Sequence, residues 1–343
     1  MSTLYARAVS SQALSFEDAV SLMGLIMDGE LSPIRTSAVL AALKVRGETV
    51  PEIAGFAQAM RARAVKVQVS SGVLVDTCGT GGTGTANFNI STAAAFVVAA
   101  AGVRVAKHGN RTAGRPSGSA DVLEALGVKL ELSAEQVAEA VERVGIGFLF
   151  ARSHHPAMRH AAPVRAEFGL PTVFNVLGPL TNPAGATHQL LGVPHPHYVP
   201  LMAGVLQQLG IVAALVVHGV APDGTRYDDV AVTGQTLVAE IRGSRLLEYA
   251  VSPQDLGVAT HLPSELLGGD ASTNAGIVRS VLGGHGTTAQ TDVVAVNAGA
   301  ALFIADAAPN LVAGVALAQQ VLRSGAALEK LERLVIFSHL TKP

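Results

Sequence analysis

The chain has 343 residues, of which 49% are hydrophobic, so a sizeable core is available and a disordered chain is excluded. The formal net charge is −2 and only 15% of the residues are charged, which excludes the basic composition of a nucleic-acid-binding protein. A single cysteine, Cys78, excludes a disulfide framework and a cysteine zinc site. The most apolar stretch, residues 93–103, is too short to span about 30 Å of hydrocarbon, and the first residues lack the apolar core of a signal peptide. We therefore expect a cytoplasmic protein that binds neither a membrane nor a nucleic acid.

The first part of the chain carries the start signals of three helices. Ser15 can cap the first, and Ser32, which proline follows, begins the second. Thr49 with Glu52 three residues later forms a capping box for the third. We expect residues 1–70 to form a small helical domain.

Strand and helix patterns alternate after this region. Residues 73–75 and 212–217 are apolar runs typical of buried strands, and Ser133 with Gln136 is a capping box before an amphipathic helix. Such alternation indicates an α/β fold. We expect residues 71–343 to form a large α/β domain with a central, mostly parallel sheet flanked by helices.

A glycine-rich segment at residues 76–92 follows the first strand. Gly79, Gly81 and Gly84 match the G-x-G-x-x-G fingerprint of dinucleotide-binding proteins. The next helix begins too late for that interpretation, and residues 77–120 contain no acidic residue to hold a ribose hydroxyl. No Gly-Lys-Ser/Thr closes the segment, which excludes a Walker loop.

The same segment favours a phosphate cradle of another kind. Asn89, Ser91 and Thr92 lie at the predicted start of a helix, where backbone N–H groups and the helix dipole attract anions. Four cations lie in the acid-free stretch: Arg104, Lys107, Arg111 and Arg115. We interpret this as a local anion site; the alternative is a mobile glycine loop beside a solvated basic face.

Two further groups of polar residues are candidates for chemistry. Lys107 and Asn110 flank His108 and offer a charged phosphate contact and a directional amide donor, although a loop histidine can also be satisfied by the backbone alone. Asp228 and Asp229 follow a predicted strand, where both carboxylates can reach Mg²⁺. The alternative for this pair is a solvated turn.

Several motifs in a common order resemble the anthranilate phosphoribosyltransferase family, which has a nucleoside-phosphorylase-like fold. The motifs are GTGG at 79–82, NIST at 89–92, KHGNR at 107–111, SGSADVLEALGV at 117–128, HHPAMRHAAPVRAEFG at 154–169, TVFNVLGPLTNPAGA at 172–186 and DVVAVNAGAAL at 292–302. Together they extend over most of the chain.

The resemblance implies a phosphoribosyltransferase of tryptophan biosynthesis. Such an enzyme transfers the phosphoribosyl group of 5-phosphoribosyl 1-pyrophosphate (PRPP) to the amine of anthranilate, with two Mg²⁺ ions as cofactors. It also implies a homodimer formed through the helical domain, and a later helical segment around residues 165–195 that packs on this domain. Catalysis would rest on the metal and on backbone N–H groups, without a catalytic side chain.

The resemblance also implies three sets of site residues. The donor-binding set is Gly79, Gly82, Thr83, Asn89, Ile90, Ser91, Thr92, Lys107, Arg115 and Ser119. The acceptor-binding set is Gly79, His108, Asn110, His155, Pro156 and Arg165, whose guanidinium can pair a carboxylate. The metal-binding set is Ser91, Asp228 and Asp229.

The chain departs from the family pattern on the donor and metal side. Thr83 stands where the family usually has Asp, and Asp229 stands where it usually has Glu. Residues 112–116 replace a serine-rich run, and Arg115 can substitute for its hydroxyls as a phosphate ligand. Two alternatives therefore stay open: a paralogue of this fold that uses another aromatic acceptor or acts as a pyrimidine nucleoside phosphorylase, and a non-catalytic binding protein.

Overall fold

The computed structural model describes residues 2–111 and 117–340. The strands are β1 (Val75–Gly79), β2 (Val105–Gly109), β3 (Ile146–Phe150), β4 (His188–Gly192), β5 (Ala213–Val220), β6 (Arg226–Tyr227), β7 (Gln235–Arg242) and β8 (Arg245–Val251). The helices before β4 are α1 (Ser2–Ala8), α2 (Phe16–Met27), α3 (Pro33–Arg46), α4 (Val50–Arg63), α5 (Ile90–Ala100), α6 (Ser119–Ala125), α7 (Ala134–Arg143), α8 (Ala151–His154), α9 (Ala162–Phe168) and α10 (Phe174–Leu177). Those after β4 are α11 (Tyr198–Gln208), α12 (Ala271–Leu282), α13 (Thr288–Ile304), α14 (Leu311–Ser324) and α15 (Ala326–Leu340).

One mostly parallel sheet runs through the larger part of the chain. Its order is β3-β2-β1-β4-β5-β7-β8, with β6 beside β5. The first five strands are parallel, whereas β6, β7 and β8 pair antiparallel. This arrangement confirms the predicted fold class, a helical bundle joined to an α/β unit with a mostly parallel sheet.

Both faces of the sheet are buried, as expected where helices cover a parallel sheet. Along β5, Leu215 and Val217 enter the core under α5 and α13, while Ala214 and Val216 enter the core shared with the N-terminal helices. Successive residues of a strand point to opposite faces, so one strand serves both cores. This explains the continuous apolar run that the sequence shows at this position.

The predicted strand at residues 73–75 is displaced. Strand β1 begins only at Val75, because the Leu74 N–H donates to the Thr187 hydroxyl (3.0 Å) instead of joining the ladder. Pairing with β4 then continues as far as Gly79 opposite Gly192. The first glycine of the predicted cradle is therefore the last residue of a central strand.

The predicted helix starts are confirmed. Ser15 accepts a hydrogen bond from the Asp18 N–H (3.1 Å), and α3 begins directly after Ser32. In the capping box before α4, the Thr49 N–H donates to Glu52 Oε2 (3.0 Å). Local side-chain to backbone bonds of this kind need no distant partner.

The segment at residues 165–195 is helical only in part. Helix α9 packs against α3, and α10 packs against α4, whereas β4 lies in the middle of the sheet. The helical segment therefore ends before His188, since this residue opens a buried strand whose residues pair with both β1 and β5.

No single helix in the described ranges is both long and apolar enough to cross a membrane; α14 and α15 meet that test only as a pair, with a bend of 68° between them.

Candidate active site

The carboxyl ends of β1, β2 and β4 meet at one edge of the sheet, where the glycine-rich loop begins. The Thr80 N–H donates to the Gly192 carbonyl (3.0 Å), which holds the loop against β4. The Gly81 N–H donates to Asp228 Oδ2 (2.7 Å), and a Cβ atom at Gly79 would overlap the same carboxylate. The predicted phosphate loop is therefore in direct contact with Asp228, one of the predicted metal ligands, at a distance that leaves no room for a side chain at position 79.

Lys107 joins the predicted donor and metal residues. It lies on β2, is 2% exposed, and donates from Nζ to the Thr77 carbonyl (2.6 Å) and toward Ser91 Oγ (3.4 Å). Burial lowers the pKa of Lys107, and the carboxylates of Asp76 and Asp229 oppose that shift. The ammonium thus lies at the start of α5, within electrostatic reach of Asp76 and Asp229.

Asp76 is a buried carboxylate beside the candidate site that the sequence reasoning did not single out. It is fully buried; Oδ1 accepts the His108 N–H (3.3 Å) and Oδ2 accepts the Asn182 side-chain amide (2.9 Å). Burial raises the pKa of Asp76 to about 6, although Lys107 and these hydrogen bonds act in the opposite direction. The sequence signal that could have pointed to Asp76 is a carboxylate within an apolar strand, directly before the glycine-rich loop.

The start of α5 carries four predicted donor residues, which the structure places differently. Asn89 is the N-cap residue, but its side chain makes no capping hydrogen bond. The Ile90 side chain lies in the hydrophobic core, so only its backbone can face a ligand. Ser91 contacts Lys107, and Thr92 is fully buried with an Oγ1 that has no partner among the described residues.

Thr83 is buried within the loop. The Thr85 hydroxyl lies 2.7 Å from the Thr83 hydroxyl and 2.6 Å from the Arg226 carbonyl oxygen. Gly82 is exposed, and a Cβ atom at this position would lie 3.7 Å from the Cβ atom of Pro194. Thr85 therefore links the loop, with the buried Thr83 beside it, to β6, the strand that leads into the aspartate pair.

Two of the four predicted cations are paired with acidic side chains. Arg104 pairs with Glu142 (3.1 Å) and lies before β2, at the opposite edge of the sheet. Arg111 pairs with Asp121 and Glu124, both at 2.8 Å. The partners of Arg111 directly follow the acid-free stretch, and Glu142 lies farther along the chain, so the composition of the stretch alone reveals neither pairing. Arg115 lies outside the described residues.

Ser119 is placed against the loop that follows β2. It is the first residue of α6, and its Oγ lies 3.5 Å from the Asn110 carbonyl oxygen. A Cβ atom at Gly109 would overlap this hydroxyl. Asn110 itself is exposed, and its Oδ1 accepts the Arg111 N–H (2.8 Å).

A pair of buried imidazoles forms the centre of the predicted acceptor side. The Nε2 atoms of His108 and His155 are 3.2 Å apart, and His108 Nδ1 lies 3.2 Å from the Gly178 carbonyl. Burial, together with the neighbouring His155, lowers the pKa of His108 to about 3. Burial and His154 lower that of His155 to about 4. Both rings are neutral near pH 7, and a backbone carbonyl does satisfy His108, as the alternative interpretation proposed.

Arg165 lies half-buried on α9 with its guanidinium carbon 5.0 Å from the Phe174 ring centre. Burial lowers its pKa. Within residues 2–111 and 117–340 it pairs with no carboxylate, including the exposed Glu167. Pro156 is exposed and begins the 3₁₀ turn after α8. No hydrogen bond among these residues joins Arg165 to His108.

The residues around Asp228 fit Mg²⁺ by their chemistry. Asp228, Asp229 and the Ser91 hydroxyl offer only oxygen atoms, which this ion prefers. In the described part of the chain no three His, Cys, Asp or Glu side chains group as a complete metal site. Mg²⁺ is commonly held by one or two carboxylates, with water and substrate phosphates completing its shell.

Asn297 supports the aspartate pair and was not predicted. Its Oδ1 accepts the Val230 N–H (2.9 Å), and its Nδ2 donates to the Val230 carbonyl (2.9 Å). The side chain is buried on α13. The backbone directly after Asp229 is thus held from both sides by one amide.

Comparison with known proteins gives matches over almost the whole chain. Residues 2–64 match the helical bundle domain, and residues 71–328 the a/b domain, of the glycosyl transferase family. The anthranilate phosphoribosyltransferase of Rubrobacter xylanophilus is 56% identical over 96% of this chain and 95% of its own length.

Solved structures agree with these matches. That of anthranilate phosphoribosyltransferase from Thermus thermophilus has a TM-score of 0.92 at 47% identity and covers 98% of this chain and 99% of its own. The Saccharomyces cerevisiae enzyme in complex with PRPP and Mg has a TM-score of 0.88 at 26% identity, with 99% of each chain covered. The yeast enzyme in complex with 4-fluoroanthranilate has a TM-score of 0.86 at 26% identity, again with 99% of each chain covered.

Proposed function

Because the chain belongs to the anthranilate phosphoribosyltransferase family, we propose that it transfers the phosphoribosyl group of PRPP to the amine of anthranilate. The products are N-(5-phosphoribosyl)anthranilate and pyrophosphate, in a step of tryptophan biosynthesis. The observation that carries the proposal is the position of Lys107, whose buried ammonium lies beside Ser91 and is stabilised by the nearby negative charges of Asp76 and Asp229. One buried cation between a helix start and two carboxylates suits a metal-bound diphosphate.

On the donor side, the residues of this chain bind and orient the pyrophosphate. Lys107 supplies positive charge, and the first turn of α5 supplies backbone N–H groups and the Ser91 and Thr92 hydroxyls. The Thr92 Oγ1, which has no partner among residues 2–111 and 117–340, supports this placement, since a buried hydroxyl without a partner is costly. Arg115, as a further phosphate ligand, stays a prediction from the sequence.

The proposed cofactor is Mg²⁺, with Ser91, Asp228 and Asp229 as its protein ligands. The family resemblance implies two ions, and the PRPP- and Mg-bound yeast relative supports use of this metal. When bound, Mg²⁺ supplies positive charge that stabilises the departing pyrophosphate. The chain itself holds Asp228 in place through the Gly81 N–H.

On the acceptor side, neutral imidazoles and one guanidinium suit an aromatic amine that carries a carboxylate. His108 and His155 are uncharged at neutral pH, so they offer neutral, polar rings against which an aromatic amine can pack. Arg165 has no described carboxylate partner and is available to pair with that of anthranilate. The aromatic amine is neutral at pH 7, so its attack needs orientation more than a strong base.

We also propose a cytoplasmic homodimer formed through the helical domain. Helix α3 presents an apolar stripe at helical spacing, with Ile34 83% and Val45 89% exposed and Ala38 and Ala41 between them. A large apolar residue that is almost fully exposed at each end of one stripe is typical of a subunit contact.

The activity is tested by following anthranilate fluorescence in the presence of PRPP, with and without Mg²⁺. We expect consumption that requires both PRPP and the metal. Consumption of another aromatic amine, or phosphorolysis of pyrimidine nucleosides, in place of anthranilate would indicate the paralogue. PRPP binding without turnover of any acceptor would indicate the non-catalytic protein.

A further inference from the structure

Asn274 is a buried amide that links three separate parts of the chain. It lies on α12 and is 2% exposed. Its Nδ2 donates to Asn89 Oδ1 (3.0 Å) and to Ser117 Oγ (2.7 Å), and its Oδ1 accepts the Gly269 N–H (2.7 Å). Ser117 Oγ also lies 3.3 Å from Asn89 Oδ1.

These hydrogen bonds fix the direction of each amide. The Gly269 N–H can only donate, so the atom of Asn274 that faces it must be the oxygen. The amide nitrogen of Asn274 then faces Asn89, and the atom of Asn89 that receives this donor must also be an oxygen. The NH₂ group of Asn89 is left to point away, and it donates to no group within the described residues.

The direction of this NH₂ group matters because Asn89 is the N-cap residue of α5. In the reverse orientation, Asn89 would present a partially negative oxygen at the helix start, where a diphosphate would be repelled. In the observed orientation it presents two N–H donors beside those of the helix backbone.

The segment around Asn274 also holds the end of the glycine-rich loop. The Gly268 N–H donates to the Ala86 carbonyl (2.8 Å), and the Phe88 N–H donates to the Leu266 carbonyl (3.3 Å). A Cβ atom at Gly268 would overlap Asn274 Oδ1. The backbone that leads into Asn89 and the side chain that orients it are therefore held by one neighbouring segment.

We infer that Asn274 is a positioning residue for the diphosphate of PRPP: it fixes the Asn89 amide so that its NH₂ group faces the ligand. The inference rests on the proposed placement of the donor at Asn89. Asn274 is buried behind Asn89 and acts through it, without a contact to the ligand of its own.

The test compares N274D, N274A, N89A and the double variant N89A/N274A. Asp at position 274 keeps the acceptor for Gly269 but replaces the donor to Asn89 with an oxygen, which favours the reversed Asn89 amide. We expect N274D and N89A each to raise the KM for PRPP at least about tenfold, the order of a lost hydrogen bond to a charged group, with the KM for anthranilate within about twofold. The KM of the double variant for PRPP should lie within about twofold of that of N89A, since the effect of Asn274 passes through Asn89.

Controls separate positioning from folding. S272A, on the exposed side of the same helix, should leave the KM for PRPP unchanged, and thermal unfolding identifies any variant that does not fold. If N274D fails to fold, the double-mutant cycle formed by N274A, N89A and N89A/N274A tests the inference without it. An unchanged KM for PRPP in the folded Asn274 variants, or additive effects in the double variant, would overturn the inference. A normal KM in N89A would instead refute the donor placement itself.

Discussion

At the scale of single residues, the charge of Lys107 depends on what surrounds it. Burial disfavours the ammonium, while Asp76 and Asp229 favour it. Its Nζ already donates to the Thr77 carbonyl and lies 3.4 Å from Ser91 Oγ at the start of α5. A bound phosphate would replace the hydration that burial has removed.

The first prediction concerns donor binding by Lys107. K107A should raise the KM for PRPP about 10- to 150-fold, the equivalent of a charge-assisted hydrogen bond of about 1.5–3 kcal/mol. Initial rates at saturating anthranilate measure this constant. R104A is the matched control, because Arg104 precedes β2 and pairs with Glu142 away from the site. The KM of R104A for PRPP should stay within about twofold of that of the unmodified chain. An unchanged KM in K107A would place this lysine outside the donor site.

The second prediction concerns acceptor recognition by Arg165. R165A and R165K should both lower kcat/KM for anthranilate, by an amount equivalent to about 2–4 kcal/mol of lost transition-state stabilisation. Lysine should not rescue the activity, because it cannot reproduce the paired geometry of a guanidinium with a carboxylate. PRPP affinity, measured by calorimetry, should hardly change. E167Q is a control, because Glu167 is exposed and not bonded to Arg165. Loss of PRPP binding with retained preference for anthranilate over its carboxylate-free amine would contradict the assignment.

At the scale of secondary-structure elements, the site depends on contacts between segments that are distant in the chain. His155, after α8, meets His108 at the end of β2, and the turn after α10 holds His108 through the Gly178 carbonyl. The loop after β1 meets Asp228 after β6. Each half of the site is therefore sensitive to how two elements pack.

The third prediction follows from the low pKa of the two imidazoles. The unfolded chain takes up protons as the pH falls below about 6.5, whereas folded His108 and His155 stay neutral down to about pH 3 and 4. The free energy of unfolding must therefore decrease as the pH falls through this window. Between about pH 7 and pH 5, the free energy of unfolding of H155Q should fall by about 2 kcal/mol less than that of the unmodified chain, as measured by urea unfolding. H285Q, at an exposed position, should not; equal slopes in H155Q and the unmodified chain would disprove the assignment.

The fourth prediction concerns the segment after β6. D228N should lower turnover and shift the Mg²⁺ dependence to higher concentration, because a neutral amide binds this ion more weakly than a carboxylate. D223N is the matched control: Asp223 is exposed in the turn before β6, where it accepts the Thr225 N–H (2.9 Å). A full rate for D228N at limiting Mg²⁺ would show that Asp228 is not a ligand.

At the scale of the whole molecule, contacts between residues close in sequence could be predicted, whereas contacts between distant residues could not. The cap at Ser15 and the capping box at Thr49 depend on residues three positions away, so the sequence alone reveals them. The partners of Asp76 and Asn274 include residues more than a hundred positions away, which the tertiary fold brings together. Arg111 pairs with two acidic residues that directly follow the acid-free stretch, so the composition of that stretch did not reveal these partners.

The fifth prediction concerns assembly. V45E should shift the protein from dimer to monomer in sedimentation experiments, since it places a charge at an almost fully exposed apolar position of α3. K44E, on the adjacent exposed position, is the control and should stay dimeric. A dimer that V45E leaves intact would place the subunit contact elsewhere.

The close approach of Gly192 to the Asp228 backbone limits how this chain can vary. A Cβ atom at position 192 would overlap the Asp228 carbonyl group, whereas Gly210, with φ of 78°, has open space around it. Asparagine tolerates such a positive φ, so a library that randomises position 210 should recover functional asparagine variants. Position 192 should return glycine alone, because even one methyl group there would push a carboxylate out of the site. Mutational tolerance at these two glycines thus depends on different physical limits, backbone dihedral at one and free volume at the other.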